Sequence, residues 1–190
     1  MNSSVLKMLV VLTTIGLISG GSLAGVYKKS SPLIEKHRLE ELKKAIFDVL
    51  PEAKSYKELE KDGFKAYEGL DNSNNPVGIA FEAEGNGFQA KISMMVGIDN
   101  QFEKLKGMKV LYQIETPGLG NKIEFDEFRN QFKGLSVKPQ IEYVKNKKPE
   151  KPNEIQAITA ATISSKAVVK ILNNEIKKIS ETFKKTVKVG

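Results

Sequence analysis

An uninterrupted apolar run near the start of the chain constrains its fold more than any other feature. Met8–Tyr27 (MLVVLTTIGLISGGSLAGVY) is twenty residues without a charge. As a helix rising about 1.5 Å per residue it spans about 30 Å, the thickness of a bilayer's hydrocarbon core. A signal peptide has a shorter apolar run and a small-x-small cleavage site; Ser22-Leu23-Ala24 fits that site loosely, but the length of the run fits an anchor. Residues 1–29 are therefore expected to be a transmembrane anchor. Gly16-x-x-x-Gly20 and Gly21-x-x-x-Gly25 give this helix two small-residue faces where another membrane helix can pack closely. Lys7 flanks one end, while Lys28, Lys29, Lys36 and Arg38 flank the other. Taken literally, that asymmetry holds the globular part on the cytoplasmic side.

The remaining composition excludes several functions. The net charge is +7, but the only arginines are Arg38 and Arg129, and the lysines alternate with glutamates along amphipathic stretches. Nucleic-acid binders cluster Arg with exposed aromatics, so the charge reads as a solvated surface and no nucleic-acid partner is expected. The chain has no cysteine and a single histidine, His37. This removes disulfides, Cys-ligated iron–sulfur clusters, zinc fingers, thiolate nucleophiles and C-x-x-C-H haem attachment, and no metal site is expected. What remains is carboxylate and hydroxyl chemistry, or a bound organic cofactor. Any electrons must then be carried by a flavin or a quinone.

Beyond the anchor, residues 30–75 read as a linker and helical lead-in. Ser30-Ser31-Pro32 is expected to break the first helix. A second then runs from Glu35 to Leu50, with Leu39, Leu42, Ile46, Val49 and Leu50 on one face and Pro51 at its end. Residues 76–190 read as the globular domain. The Asp/Asn-rich stretch Gly69–Pro76 is a turn, followed by strands near Val77–Ala83, Phe88–Ile98 and Met108–Glu115. Gly85-Asn86-Gly87 suits the connection between the first two. Phe125, Phe128 and Phe132 fall on one face of a short helix, as core residues. A strand near Leu135–Val144, a Lys/Pro-rich loop and a final helix from Ser164 to Phe183 complete the reading, with Val168, Val169, Leu172, Ile176 and Ile179 as the helix's apolar stripe. The expected class is α+β, an antiparallel sheet with helices packed on it.

Two segments carry chemistry. Glu115-Thr116-Pro117-Gly118-Leu119-Gly120 follows a strand. Its two glycines around one leucine make a tight loop whose backbone can approach a flat ligand, although many such loops are plain turns. Ile158-Thr159-Ala160-Ala161-Thr162-Ile163-Ser164-Ser165-Lys166 opens the last helix. Hydroxyl residues there ordinarily cap a helix. The same place suits a phosphate, because free backbone N–H groups and the helix dipole favour an anion.

In these two segments the chain resembles the FMN-binding domain family of membrane redox complexes. That family includes the G subunits of Rnf-type complexes and the C subunits of the sodium-pumping NADH:quinone reductase. The similarity covers nearly the whole chain: the anchor, Gly87-Phe88 leading into Met94-Met95-Val96-Gly97-Ile98-Asp99, the Glu115–Gly120 loop, Phe128–Gly134 and the hydroxyl-rich helix start. The family's second motif is Ser/Thr-Gly-Ala-Thr, with its last threonine esterified by the phosphate of FMN. The resemblance thus implies covalent FMN on Thr162, with Thr159, Ala160 and Ala161 completing the motif and Ser165 and Lys166 beside it. It assigns Glu115, Thr116, Gly118, Leu119 and Gly120 to the flavin pocket. Ala160 departs from the usual glycine, Gln156 from a frequent acidic residue, and Gln113 from a frequent histidine.

The resemblance further implies an electron-carrier subunit of an ion-translocating ferredoxin:NAD oxidoreductase, an enzyme only as part of that complex, with the other subunits as partners. It places the chain in the bacterial cytoplasmic membrane as a single-pass protein whose domain is extracytoplasmic. That position opposes the local charge count, but large domains translocate largely regardless of flanking charge. Two other functions stay open at this point. One is a membrane-anchored ligand-binding or scaffold module in which Thr162 is only a cap and the protein is colourless. The other is a flavoenzyme with its own substrate, for which the sequence offers no Arg/His pair.

Overall fold

The apolar run becomes the first part of a single helix, α1 (Ser3–Val49), in the computed structural model of the chain, which describes residues 3–187, with side chains through residue 183. Among the described residues this is the one helix long and apolar enough to cross a membrane. The hydroxyls of Thr13 and Thr14 donate back to the carbonyls of Leu9 and Val10, each at 2.8 Å. Their polar groups are thereby satisfied within the helix, as a hydrocarbon surrounding demands. The break expected at Ser30-Ser31-Pro32 does not occur; α1 continues through Pro32. Pro32 forgoes one i→i−4 hydrogen bond and crowds the carbonyl four residues earlier, a cost confined to that turn, and its φ is already helical.

The chain divides between Lys43 and Lys44 into two compact units. The second contains the end of α1 and all that follows: β1 (Ser55–Lys61), β2 (Phe64–Leu70), β3 (Pro76–Asn86), β4 (Lys91–Ile98), β5 (Leu105–Tyr112), α2 (Asp126–Arg129), β6 (Glu142–Val144), β7 (Glu154–Gln156) and α3 (Thr162–Val187). Strands β1 to β5 form an antiparallel meander in sequence order, and β6 and β7 make a separate parallel pair. The expected boundary at residue 76 is thus drawn too late, because β1 and β2 are full members of the sheet. They were hidden by composition. Ser55–Lys61 (SYKELEK) is an edge strand with only Tyr56 and Leu59 half-buried, and charged residues are what protect an exposed edge.

Alternation along the strands gives the sheet two distinct faces. Ala66, Ile79, Phe81, Ala83, Ile92, Met94, Val96 and Ile98 point to the main core. They meet Phe128, Phe132 and the α3 stripe Val168, Val169, Leu172, Ile176 and Ile179 there. Burying Phe81 or Phe132 fully contributes about 2–3 kcal/mol each. The opposite face, with Ala80, Met95, Gly97 and Gly107, receives the end of α1, where Ala45, Ile46, Val49 and Leu50 are buried. Lys109–Asp48 and Lys106–Glu52 ion pairs fix that helix end from the sheet side. The β2–β3 turn is held by Asp71, whose carboxylate accepts from Asn75 and from the Ser73 amide. These bonds, Asn75's foremost, hold its carboxyl below the usual carboxylate range.

Two expectations after β5 change. Phe125, Phe128 and Phe132 do not share one helix. A 3₁₀ turn (Gly120–Glu124) ends at an extended Phe125, α2 follows, and a second 3₁₀ turn (Asn130–Phe132) closes the segment. Phe128 and Phe132 pack edge to face in the core at 5.3 Å, while Phe125 is exposed. The strand expected over Leu135–Val144 is reduced to β6, because Pro139 in its middle lacks the N–H a ladder needs.

Candidate functional site

Three segments distant in sequence meet at the first turn of α3. The β3–β4 loop brings Phe88, the loop after β5 brings Thr116, Leu119 and Gly120, and the helix start brings Ala160, Ala161, Thr162, Ile163 and Ser164. Together they line a cleft of about 300 Å³. The two motifs singled out in the sequence are therefore walls of one site.

The walls differ in chemistry. Phe88 and Ile163 are each 59% exposed and Leu119 41%. Among the described residues of the folded unit, the other exposed large apolar side chains are Tyr112, Ile114 and Phe125, on the segments that lead into or out of the same loop. A small domain rarely gathers its uncovered apolar surface around one cleft unless something covers it. The floor is polar. The N–H groups of Thr162, Ile163 and Ser164 have no intrahelical acceptor, by helix geometry. Ser165 is the first in α3 whose N–H finds one, the Ala161 carbonyl at 3.1 Å. A flat apolar ring against the side walls and an anion at the helix start are what these two surfaces accept.

The hydroxyls separate sharply. Ser164 Oγ donates to Glu115 Oε2 at 2.5 Å. Ser165 Oγ donates to the Ala161 carbonyl and accepts from the Ile158 N–H, and is fully buried. Thr159 is exposed and lines a different groove, of about 500 Å³, with Lys122, Phe125 and Gln156. Of the three hydroxyl residues lining the cleft, Thr116 and Ser164 are bonded, and Thr162 makes no hydrogen bond with any described residue. It lies inside the helix rather than before it, so it does not act as the cap.

Several of the expected site residues lie away from the lining of this cleft. Ser165 is turned inward and serves the local fold. Lys166 is exposed on another groove of α3, beside Glu142 and Tyr143, and not among the residues lining the cleft; it stands about one helical turn further along α3 than Thr162. Glu115 is only 4% exposed and sits behind the cleft. Gly118 turns the loop at φ +75 without lining the site. Phe88, Ile163 and Ser164 are wall residues that lay within or beside the quoted motifs without being assigned to the pocket. A large aromatic directly after the Gly85-Asn86-Gly87 turn was the available signal for the first.

Ala160 carries a conformational cost. Its φ is +65, a region where an L-residue loses about 1 kcal/mol and glycine loses none. Glycine also adds unfolded-state entropy, so Ala160→Gly is expected to stabilise the domain by only about 0.5 kcal/mol. Ala160→Val, β-branched in the same conformation, should cost about 1–2 kcal/mol. Thermal midpoints of the three proteins measure both; a glycine variant less stable than the valine variant would refute the assignment.

This is an FMN-binding type of domain, carried behind a hydrophobic helix. Residues 87–177 match the FMN-binding domain family. Over 187 residues the chain is 31% identical to the G subunit of the ion-translocating oxidoreductase complex of Methanosarcina acetivorans, covering 94% of this chain and 96% of that one. The G subunit of the proton-translocating ferredoxin:NAD(+) oxidoreductase complex of Clostridium ljungdahlii is 29% identical, covering 89% and 88%. The Na(+)-translocating counterpart of Acetobacterium woodii is 28% identical, covering 90% of each chain. Among solved structures, Shewanella oneidensis NqrC shares the fold with a TM-score of 0.62 at 20% identity, over 76% of this chain and 75% of that one. The chain belongs to the family of G subunits of ion-translocating oxidoreductase complexes.

Proposed function

We propose that the chain is the electron-carrier subunit of an Rnf-type ion-translocating ferredoxin:NAD oxidoreductase, with FMN joined through its phosphate to Thr162. The observation that carries this reading is the Thr162 hydroxyl, open to the cleft and unbonded while its two serine neighbours are engaged. A phosphoester needs a hydroxyl oxygen with room around it. Ala160 and Ala161 leave that room, and the N–H groups of Thr162, Ile163 and Ser164 would face the phosphate. Phe88, Leu119 and Ile163 would cover the ring and shield it from water. When bound, the flavin supplies reversible electron carriage, one electron at a time. The protein's part is to hold it, orient it and keep it from leaving an exposed domain.

The cap reading of Thr162, and with it the colourless scaffold, is disfavoured by the position of Thr162 within α3 and by its unused hydroxyl. The named relatives translocate different ions at near-equal similarity to this chain, which supports an ion path in other subunits. Those subunits would supply helices that pack on Gly16/Gly20 or Gly21/Gly25 of α1. We place the domain on the extracytoplasmic side of the cytoplasmic membrane; protease added to intact cells should remove it, and a protected domain would reverse the orientation.

The direct test is intact mass with in-gel flavin fluorescence on denatured chain, coexpressed with a flavin transferase, the enzyme class that would form the ester. The expected gain is FMN less one water: the threonine hydroxyl gives up its hydrogen, and the flavin phosphate gives up the oxygen-bound leaving group that stands for its hydroxyl, as the P–O bond to Thr162 forms. An unmodified mass with no tightly held flavin would return the domain to the scaffold reading.

A further inference from the structure

Glu115 is the most heavily engaged side chain around the cleft. Its Oε1 accepts from the N–H groups of Phe88 at 2.9 Å and Gln89 at 3.1 Å, and its Oε2 accepts from the Ser164 hydroxyl at 2.5 Å. Those donors belong to two segments, one 26–27 residues before Glu115 and the other 49 residues after it. Glu115's own N–H donates to Gln113 Oε1, and Gln89 Nε2 donates to Thr116 Oγ1 at 2.9 Å, so the two loops are stitched on both sides. The space is closed. A Cβ at Gly87 would lie 2.4 Å from Oε1, and one at Gly120 would lie 2.9 Å from Oε2 and 2.7 Å from Ser164 Oγ. With both oxygens committed and 4% of the residue exposed, Glu115 has almost no surface left for a ligand.

We propose that Glu115 is a positioning residue for cofactor attachment rather than a flavin ligand. It is an internal clasp that locks the Phe88 wall to the first turn of α3. This rests on Thr162 being the FMN acceptor. Ser164 lies two residues after Thr162 in the same helical turn, so fixing one fixes the direction in which the other presents its hydroxyl. The clasp therefore delivers ring wall, amide floor and acceptor as one preformed site. Preorganisation of this kind changes how fast a bond forms more than whether the domain folds. It also explains why a carboxylate stands behind a site meant for a phosphate: it is spent on donors from the protein.

The test uses the full chain coexpressed with a flavin transferase, in four forms: wild type, Glu115→Gln, Glu115→Ala and Ser164→Ala. Three quantities are read: the rate at which the chain gains covalent flavin, hydrogen exchange of the Phe88 and Gln89 amides, and the thermal midpoint. Glu115→Ala strips the acceptor from three donors, and both exchange and loading are expected to worsen roughly tenfold or more. Glu115→Gln keeps an oxygen for the two amides and an NH₂ for Ser164 Oγ, so it should stay within about threefold of wild type in both. Ser164→Ala breaks only the link to α3. It should slow loading while the Phe88 and Gln89 amides stay protected, and it carries the test if Glu115→Ala does not fold. Wild-type loading in Ser164→Ala, or in a folded Glu115→Ala, would overturn the proposal. A Glu115→Gln form that fails as badly as alanine would overturn it too, since the charge would then act on the cofactor directly. If wild type gains no flavin, all four forms will look alike; that outcome sinks the acceptor reading and the clasp's role with it.

Discussion

Thr162→Ala is expected to yield a folded chain that carries no covalent flavin at all. The loss should be complete rather than partial, because the oxygen that would form the ester is removed and no other hydroxyl in the cleft is free to replace it. Ser164 is tied to Glu115, Thr116 Oγ1 accepts from Gln89 Nε2, Ser165 is buried against the Ala161 carbonyl, and Thr159 opens onto a separate groove. The fold should scarcely notice. Thr162 is half-buried and makes no hydrogen bond that alanine would forfeit, and alanine favours a helix, so stability should change by less than about 0.5 kcal/mol. Thr162→Ser restores an oxygen at the same place and should restore loading, more slowly, because serine lacks the branched carbon that restricts the threonine rotamer. Thr159→Ala should load as wild type. Intact mass of the denatured chains reads all of this. Flavin persisting on Thr162→Ala, or vanishing from Thr159→Ala, would move the acceptor to the other threonine.

The sequence reveals the site better than the fold around it, for a physical reason. Glu115–Gly120 and Thr159–Ser165 are conspicuous because their residue types are unusual for their positions, and such local signals survive without a structure. Position along a helix is harder. Thr162 and Lys166 both belong to the hydroxyl-rich stretch and, four residues apart, share a face of α3; the rise of one helical turn is what leaves Thr162 at the cleft and Lys166 on the groove beside β6. The meaning of Glu115 was the least accessible. Its three donors lie 26 to 49 residues away, and nothing in a loop sequence distinguishes a carboxylate that binds a ligand from one that binds the protein.

The fold was legible where one face of an element is apolar. The α3 stripe and the strands around Ile79–Ala83 and Ile92–Ile98 read clearly. β1 did not, because an edge strand coated in Lys and Glu has little alternation to read, and β2 was lost with it. Phe125 broke from its two companions because the local backbone turns extended there. Three aromatics at helical spacing carry no information about that turn.

The glycines on the back of the sheet were equally silent, and they set the second large effect. Gly97 lies on β4 between Val96 and Ile98, which enter the main core, so it faces the other way, onto the end of α1. A Cβ there would sit 2.3 Å from the Val49 carbonyl oxygen and 3.0 Å from its carbon. Those are backbone atoms, which cannot swing aside as a lysine or methionine tip would. Gly97→Ala must therefore lift the helix end off the sheet, opening the contact that buries Ala45, Ile46, Val49 and Leu50. The expected cost is about 3 kcal/mol, at the upper end of overpacking, or a thermal midpoint lower by roughly 6–12 °C for a domain of this size. Gly107→Ala, whose Cβ would meet Val49 Cα at a tolerable 3.3 Å, should cost about 1 kcal/mol. The cofactor cleft is built from residues on the other side of the sheet and its loops. Gly97→Ala grown at low temperature should thus still load flavin on Thr162, which separates loss of stability from loss of the site. A Gly97→Ala midpoint equal to that of wild type would show that the helix end does not rest on the sheet at Gly97.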